Sequence, residues 1–205
     1  MFIENAIEGI LKAAAWNGEI PVRPENITVD AEATSEWEGE NRVFVYRESS
    51  RPLGDITGAN DYSGWMESII SIVILGRNKA DSEWVKTKVF AVIDRIRSLA
   101  PGTGEEITKP ETLVFGGGDT FRVEQGDVLT VDRVKGDGTF ENLGTTKGKL
   151  KTSDYLLWSP FYDEIKKISS SIVKEVFAVE RVEDGTFKAQ YYNTIKMGFL
   201  HKQSI

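Results

Sequence analysis

The sequence predicts an α+β protein in which a mixed or antiparallel sheet is packed by two helices and a small β-barrel is inserted. The sheet is indicated by residues 68–75, a run that is apolar at both odd and even positions. The helices are indicated by the amphipathic spacing of apolar residues in 3–15 and 82–99. The barrel is indicated by short strand-like runs between glycine turns in 112–157.

The two predicted helices have recognisable ends. The first is apolar along one face, and we expect it to stop at Gly18. For the second, Asp81 or Ser82 is the expected N-cap, and the apolar face runs through residues 85–99. The Pro-Gly pair at 101–102 ends this helix, because proline cannot continue it.

Further strands are predicted on both sides of the central run. Because residues 68–75 are apolar on both faces, we expect that strand to lie mid-sheet with other elements covering each side. Residues 27–29 are an expected edge strand, and residues 42–48 are a second strand of the main sheet. A long amphipathic hairpin is expected over 171–200, and residues 49–64 are interpreted as a long polar connection.

The inserted barrel is assigned to residues 111–158, and residues 1–110 with 159–205 form the expected main domain. Residues 121–131, Phe-Arg-Val-Glu-Gln-Gly-Asp-Val-Leu-Thr-Val, resemble the opening of an SH3-like barrel. In such barrels a Gly-Asp turn after one short strand begins the next strand. The resemblance implies that the insertion is a small SH3-like barrel.

Composition excludes several kinds of chemistry. The net charge of −7 and the pI near 5.0 argue against nucleic-acid binding as the main activity, because neutralising phosphates needs clustered Lys and Arg. The absence of Cys removes disulfides, thiolate metal sites and Cys nucleophiles. No apolar run is long enough to cross a bilayer, and residues 1–17 lack the basic start of a secretory signal. We expect no enzymatic activity, no catalytic residue, no cofactor and no metal.

Three patterns that look reactive have simpler explanations. Residues 115–120, Phe-Gly-Gly-Gly-Asp-Thr, lack the lysine and the helix start of a phosphate-binding loop, so we interpret them as a turn. His201 is the single histidine, and we expect a solvated or packing role for it. The acidic run 30–40 lacks the residue order of a calcium loop, so a solvated or partner-facing loop is favoured over a metal site.

Tryptophan positions separate expected core residues from expected contact residues. A buried structural role is predicted for Trp16, Trp84 and Trp158. Trp37 and Trp65 stand in polar surroundings, and we expect them at a protein interface, where Trp is enriched. The other expected subunit-interface residues are Arg51 and Tyr62.

The order of the elements resembles that of tail-terminator and head–tail joining proteins of long-tailed bacteriophages and related viruses. The resemblance rests on residues 1–23, 43–46, 69–75 with 85–99, and 176–199. It implies a small α/β subunit, without catalytic residues, that closes into a ring on the tail tube. The inserted barrel departs from the compact pattern of that family and leaves the neighbour of this subunit open.

The resemblance also implies a location and a set of partners. The protein would be a virion structural protein at the tail–neck junction, made in the host cytoplasm, with no membrane contact. Its partners would be copies of itself in a ring, expected to be hexameric, together with the tail tube protein and neck or connector proteins. DNA would pass through the lumen without being gripped, because acidic side chains facing the channel repel phosphates. The acids expected to face the channel are Asp30, Glu32, Glu36, Glu38 and Glu40.

Two other classes of function remain open from the sequence. One is a soluble enzyme or ligand-binding domain with a site between the barrel and the sheet, which a concave pocket with perturbed titratable groups would favour. The other is an adaptor whose barrel binds a peptide or another protein. A stable monomer at high concentration would count against the ring.

Overall fold

The computed structural model describes residues 3–29, 39–52, 64–98, 162–181 and 187–203, together with five short strands between residues 111 and 157. The helices are α1 (Ile3–Trp16) and α2 (Lys79–Asp94), and a short 3-10 turn covers Pro24–Asn26. The strands are β1 (Ile27–Val29), β2 (Arg42–Pro52), β3 (Trp65–Gly76), β4 (Ile96–Ser98), β5 (Glu111–Phe115), β6 (Asp119–Val123), β7 (Leu129–Val134), β8 (Phe140–Thr146), β9 (Tyr155–Leu157), β10 (Tyr162–Arg181) and β11 (Phe187–Gln203).

A five-stranded mixed sheet in the order β1-β2-β3-β11-β10 is the framework of the protein. The β1 strand is parallel to β2, and the remaining pairs are antiparallel. The predicted α+β class, with a main sheet and two helices, is therefore confirmed. The strand predicted to be central, β3, lies in the middle of the sheet, between β2 and β11.

The first helix ends as expected at Gly18. This residue has a φ of 72°, in the left-handed region where only glycine avoids a Cβ clash. The Glu19 amide donates to the Ala14 carbonyl at 2.8 Å and the Gly18 amide to the Ala15 carbonyl at 3.0 Å. Both bonds satisfy carbonyls that have no partner within the helix, which is the pattern of a Schellman motif.

The second helix differs from its prediction at both ends. Its N-cap is Asn78, whose side-chain oxygen accepts from the Asp81 amide at 2.9 Å, so the expected caps Asp81 and Ser82 lie inside the first turns. The helix ends at Asp94, before the predicted end at residue 99. Residue Ile96 instead begins β4, which pairs in parallel with β9. A partner strand distant in sequence decided the conformation of these residues.

Several strands are longer than their sequence patterns indicated. The β2 strand continues through Pro52 and β3 begins at Trp65, so the connection that was expected over 49–64 is shorter, and residues 53–63 lie outside the described residues. The β10 strand begins at Tyr162, before the expected start of the hairpin at residue 171. Pairing with the neighbouring strands extends each of these elements.

The hydrophobic core lies between the sheet and the two helices. Ile70, Ile72 and Ile74 of β3 are fully buried, and Val45 and Ile195 stand opposite Ile72 on the neighbouring strands. The helices contribute buried side chains from their inward faces. Burying each such aliphatic side chain stabilises the fold by about 1.5–3 kcal/mol, which makes this layer the main source of stability.

The inserted region forms a four-stranded antiparallel sheet in the order β5-β6-β7-β8. Each strand pairs with the next one along the chain. The β9 strand, at the end of the predicted insertion, pairs with β4 of the main domain. The β5 strand approaches both α1 and β9.

Candidate subunit interface

The two faces of the main sheet have different surroundings. Register places the side chains of Ile70, Ile72 and Ile74 on the face that α1 and α2 cover. The alternate residues of β3, including Ile69 and Val73, point to the other face. Within the described residues α1 and α2 both pack on the first face, so the expectation that something covers each side of β3 is met on that face and stays a prediction on the other.

We call this second surface the open face. Its apolar part is formed by residues from four adjacent strands. These residues are Phe44, Tyr46, Trp65, Ile69, Val73, Leu200 and Ile168. Tyr46 is 36% exposed and Ile168 is 54% exposed, whereas Ile70 on the covered face is 0% exposed. Aliphatic and aromatic side chains left in water on one contiguous surface typically mark a site of protein association.

Two carboxylates on the open face, those of Glu48 and Glu67, are paired within the chain. The Lys196 ammonium donates to Glu48 at 2.5 Å, and the Ser71 hydroxyl donates to the same carboxylate at 3.2 Å. The hydrogen bond from Lys196 is the main cause that lowers the pKa of Glu48 below its ordinary value. This pairing keeps Glu48 ionised and its charge offset, so covering the open face does not bury an isolated carboxylate.

Two of the predicted interface residues lie on the open face. The Arg51 Nε donates to Glu67 at 2.8 Å, and the Arg51 side chain is 75% exposed. Trp65 is the first residue of β3 and is half-buried, with the Lys166 ammonium 5.9 Å from its ring centroid. The β2–β3 register therefore brings Arg51 and Trp65 to the same end of one surface.

The other predicted site residues divide into two groups. Trp37, Tyr62, Asp30, Glu32, Glu36 and Glu38 lie outside the described residues. Glu40 is described and half-buried: its carboxylate accepts from the Asn26 amide group at 2.6 Å and pairs with Arg23 at 3.3 Å. A channel-facing role for these acids stays a prediction.

Two of the tryptophans predicted to be buried are on the surface. Trp16 is 79% exposed at the end of α1, and Trp84 is 52% exposed on α2. Trp158 lies outside the described residues. The prediction was wrong for Trp16 and Trp84 because a large apolar side chain at a helix position does not by itself say which way the helix faces.

The edge strand β10 adds a second feature to this surface. Its register with β11 is irregular at three places between Tyr162 and Lys174, and it is regular from Lys174 to Arg181. Bulges and lysines on an edge strand oppose uncontrolled pairing with other chains. Within the described residues, β3 ends opposite Tyr191, so the far end of the β10–β11 hairpin extends past the central strand.

Gly198 of β11 leaves room for side chains of the neighbouring strand β10 on the open face. A Cβ on Gly198 would lie 2.7 Å from the Ser169 hydroxyl and 3.1 Å from Cγ1 of Ile168. Both neighbours belong to the irregular stretch of β10 that lies opposite Gly198. The absence of a side chain at Gly198 therefore lets Ile168 lie over β11 while most of its surface stays exposed.

The covered face holds a polar cluster that resembles part of a hydrolase site. The Ser68 hydroxyl is 2.9 Å from His201 Nε2 and also 2.9 Å from the Ser50 hydroxyl. Ser68 is 2% exposed and His201 is 3% exposed, so both groups are buried. Burial, with a smaller contribution from the nearby Arg47 charge, lowers the pKa of His201 to about 4, which keeps the ring neutral. His201 thus has a packing role, not a solvated one.

A second ionic cluster joins α1, α2 and β9. Burial by itself would raise the pKa of Glu19, but hydrogen bonds from Arg95 and Tyr155 bring it below its ordinary value. The Tyr155 hydroxyl donates to Glu19 at 2.5 Å, and Arg95 pairs with the other carboxylate oxygen. The Arg95 guanidinium also lies 5.4 Å from the Tyr155 ring centroid. These contacts connect the end of the insertion to the main domain.

The described residues contain no group of three or more His, Cys, Asp or Glu side chains placed to hold a metal ion. Within the same part of the chain, the helices are too short or too polar for any of them to cross a bilayer. No protein-family model, curated protein or solved structure matches this chain.

Proposed function

We propose that this chain is an architectural subunit that assembles with copies of itself into a ring, as a tail terminator of a long-tailed bacteriophage or related virus. In this role it ends the tail tube and joins it to the head or neck, and DNA passes through the lumen. The observation that carries the proposal is the open face, a sheet surface with exposed Tyr46 and Ile168 on the side away from α1 and α2.

Electrostatics on the open face favour association. Glu48 is paired with Lys196 and Glu67 with Arg51, so a second copy that covers these two carboxylates does not leave either of them without a counter-charge. Apolar residues lie beside these pairs, and their burial supplies about 25 cal/mol for each Å² removed from water. A stable interface needs roughly 800 Å² on each partner, a surface that several strands of one sheet can provide.

Other parts of the proposal come from the sequence pattern. The insertion at 111–158 is proposed to be an SH3-like barrel inside the main domain, and its antiparallel strand order is compatible with such a barrel. Segment 49–65 is proposed to reach a neighbouring subunit, and the acids at 30–40 to face the channel. The tail tube protein and neck or connector proteins are the proposed partners, at the tail–neck junction of a virion.

Assembly of the purified chain tests the proposal directly. Mass photometry and negative-stain imaging should show rings, expected to be hexameric. The variants Ile168→Lys and Tyr46→Lys should weaken assembly at least about tenfold, because a charge at the centre of an apolar interface has no partner. Trp16→Lys is the matched control, since Trp16 is a large exposed side chain away from the open face, and it should assemble as the wild type does.

Three results would count against the proposal. A wild-type chain that stays monomeric at high concentration would remove the ring. Rings that tolerate both lysines on the open face would place the interface elsewhere. A ring whose channel wall is basic would contradict the idea that DNA passes without being held.

A further inference from the structure

The proposed function gives no role to a cleft whose lining residues are not part of the open face. It has a volume of about 240 Å³ and lies where the segment before β1, the start of β2 and the beginning of α2 meet. Its walls include Pro21, Arg23, Arg77 and Trp84. Sites for drug-sized ligands and cofactors are usually about 300–1,000 Å³, so this cleft suits one or two side chains of a peptide.

The cleft has a local charge opposite to that of the protein. Two arginines and one glutamate line it, in a chain whose net charge is −7. Arg23 pairs with Glu40 at 3.3 Å, and its side chain is 69% exposed. Each of the two arginines already pairs with one carboxylate, so an anionic group in the cleft meets the guanidinium edges that these pairs leave open.

The Arg77 side chain is held in a defined orientation. Its Nε donates to Asp81 at 2.6 Å, and its backbone amide donates to the Asn41 side chain at 3.1 Å. Among the residues that the structure describes, its two terminal nitrogens have no other hydrogen-bond partner. The outer edge of a guanidinium presents two parallel N–H groups, which match the two oxygens of a carboxylate.

Trp84 supplies a flat apolar wall beside these donors. Its side chain is 52% exposed, and within the described part of the chain its indole N–H makes no hydrogen bond. Pro21 and Val22 line the cleft as well. Exposed Trp next to Arg is the combination enriched at the energetic centres of protein interfaces.

We propose that this cleft binds an extended acidic peptide segment of a partner protein, with a Glu or Asp carboxylate on Arg77 and a neighbouring apolar side chain on Trp84. A singly charged carboxylate suits the cleft better than a phosphate dianion, because Glu40 lies in the same wall and repels the larger charge. Nucleic acid is disfavoured for the same reason and by the net charge of the chain. The inference does not depend on ring formation.

Binding can be measured with a short probe peptide on the full chain. The probe is acetyl-Gly-Glu-Phe-Glu-Gly-amide, and its control replaces both Glu residues by Gln. The readout is the indole N–H NMR signal of Trp84, assigned with Trp84→Phe, or Trp fluorescence if the assembly is too large. The Glu peptide should shift this signal and bind at least about fivefold more tightly than the Gln peptide, because one charge-assisted bidentate pair is worth about 1 kcal/mol or more.

Variants locate the site. Arg77→Gln should weaken binding of the Glu peptide at least about fivefold and leave the affinity for the Gln peptide nearly unchanged. Arg51→Gln is the matched control, since Arg51 is also an exposed arginine paired with one carboxylate but lies on the open face. It should change peptide affinity by less than about twofold.

The results that would overturn peptide binding differ from the results that would overturn ring formation. Equal affinity for the two peptides, or an equal loss of affinity for the Glu peptide in Arg51→Gln and Arg77→Gln, would overturn the inference. So would inorganic phosphate that shifts the same signal and displaces the peptide, because the cleft would then be a general anion site. Ile168→Lys should disrupt assembly but retain peptide binding, whereas Trp84→Ala should retain assembly but lose peptide binding, which titration calorimetry measures without the indole signal.

Discussion

The two faces of the main sheet are built from the same strands but have different environments. On the covered face, Ile70 and its neighbours are fully buried by α1 and α2, and even the polar residues Ser68 and His201 are excluded from water. On the open face, Ile69 is half-buried and Ile168 is 54% exposed. Alternate residues of one apolar strand thus have different surroundings: one set is buried under the helices, and part of the other set is left partly in water.

The largest expected effect comes from changing isoleucine to alanine at two adjacent positions of β3 whose side chains point to opposite faces of the sheet. Ile70→Ala should lower the free energy of unfolding by about 2–5 kcal/mol, because the cavity it leaves is enclosed by the core. Ile69→Ala should cost about 1 kcal/mol or less in the monomer, because its side chain is already partly in water. Denaturant unfolding at a concentration where the protein is monomeric measures both.

If Ile69→Ala and Ile70→Ala lower the free energy of unfolding of the monomer by the same amount, the open face is buried to the same extent as the face under the helices. Loss of assembly in Ile69→Ala with little loss of stability would instead strengthen the comparison.

A pair of glycines gives a second test of the same difference. Gly76 lies on the covered side, and a Cβ there would be 2.5 Å from the Ser82 backbone nitrogen in α2. Gly76→Ala should therefore cost up to about 3 kcal/mol, because the helix itself must move. Gly198→Ala meets only the side chains of Ser169 and Ile168, which can rotate, so it should cost less than about 1 kcal/mol.

Thermal unfolding of the two glycine variants shows which of them is more destabilised. A Gly198→Ala variant that is as unstable as Gly76→Ala would mean that β10 is held as rigidly as α2. We expect Gly198→Ala to act mainly on assembly, since it displaces Ile168.

The third prediction uses the buried histidine of the covered face as a pH probe. The pKa of His201 is lowered from 6.5 to about 4, so the unfolded chain takes up a proton at a higher pH than the folded protein does. The contribution of the neutral ring to stability is fully present above about pH 6.5 and is lost as the pH falls toward 4. Between about pH 7.5 and about pH 5 this loss should be about 2 kcal/mol.

Chemical unfolding of the wild type and of His201→Gln at both pH values isolates this contribution, because the carboxylates are common to both proteins. The variant should lose less stability on acidification than the wild type. An identical pH dependence of the two proteins would show that His201 is not held neutral in the folded state.

Local chemistry made much of the fold predictable. The spacing of apolar residues in 3–15 predicts an amphipathic helix, and Gly18 ends it with a left-handed backbone. The central position of β3 follows from the apolar residues at 69–70 and 72–75. The short edge strand Ile27–Val29 was also predicted at its observed bounds. Each of these features depends on residues close together in the chain.

Features that depend on distant residues were missed. Residues Ile96–Ser98 fit the apolar spacing of a helix, but they pair with Tyr155–Leu157 in the folded protein. His201 stands near the end of the chain, and only its register opposite Met66 brings it beside Ser68 and into the core. No local signal marks either outcome. The cleft at Arg77 was likewise missed, because three separate segments form it.

The sequence by itself determined the class of the fold, its central strand, and the scarcity of reactive side chains, because composition and periodicity are properties of the chain alone. Only the tertiary structure decided that both helices cover the same face of the sheet, since both faces of β3 are apolar in the sequence. That choice follows from where α1 and α2 pack against their neighbouring strands. It is what leaves Tyr46 and Ile168 exposed on the surface proposed for assembly.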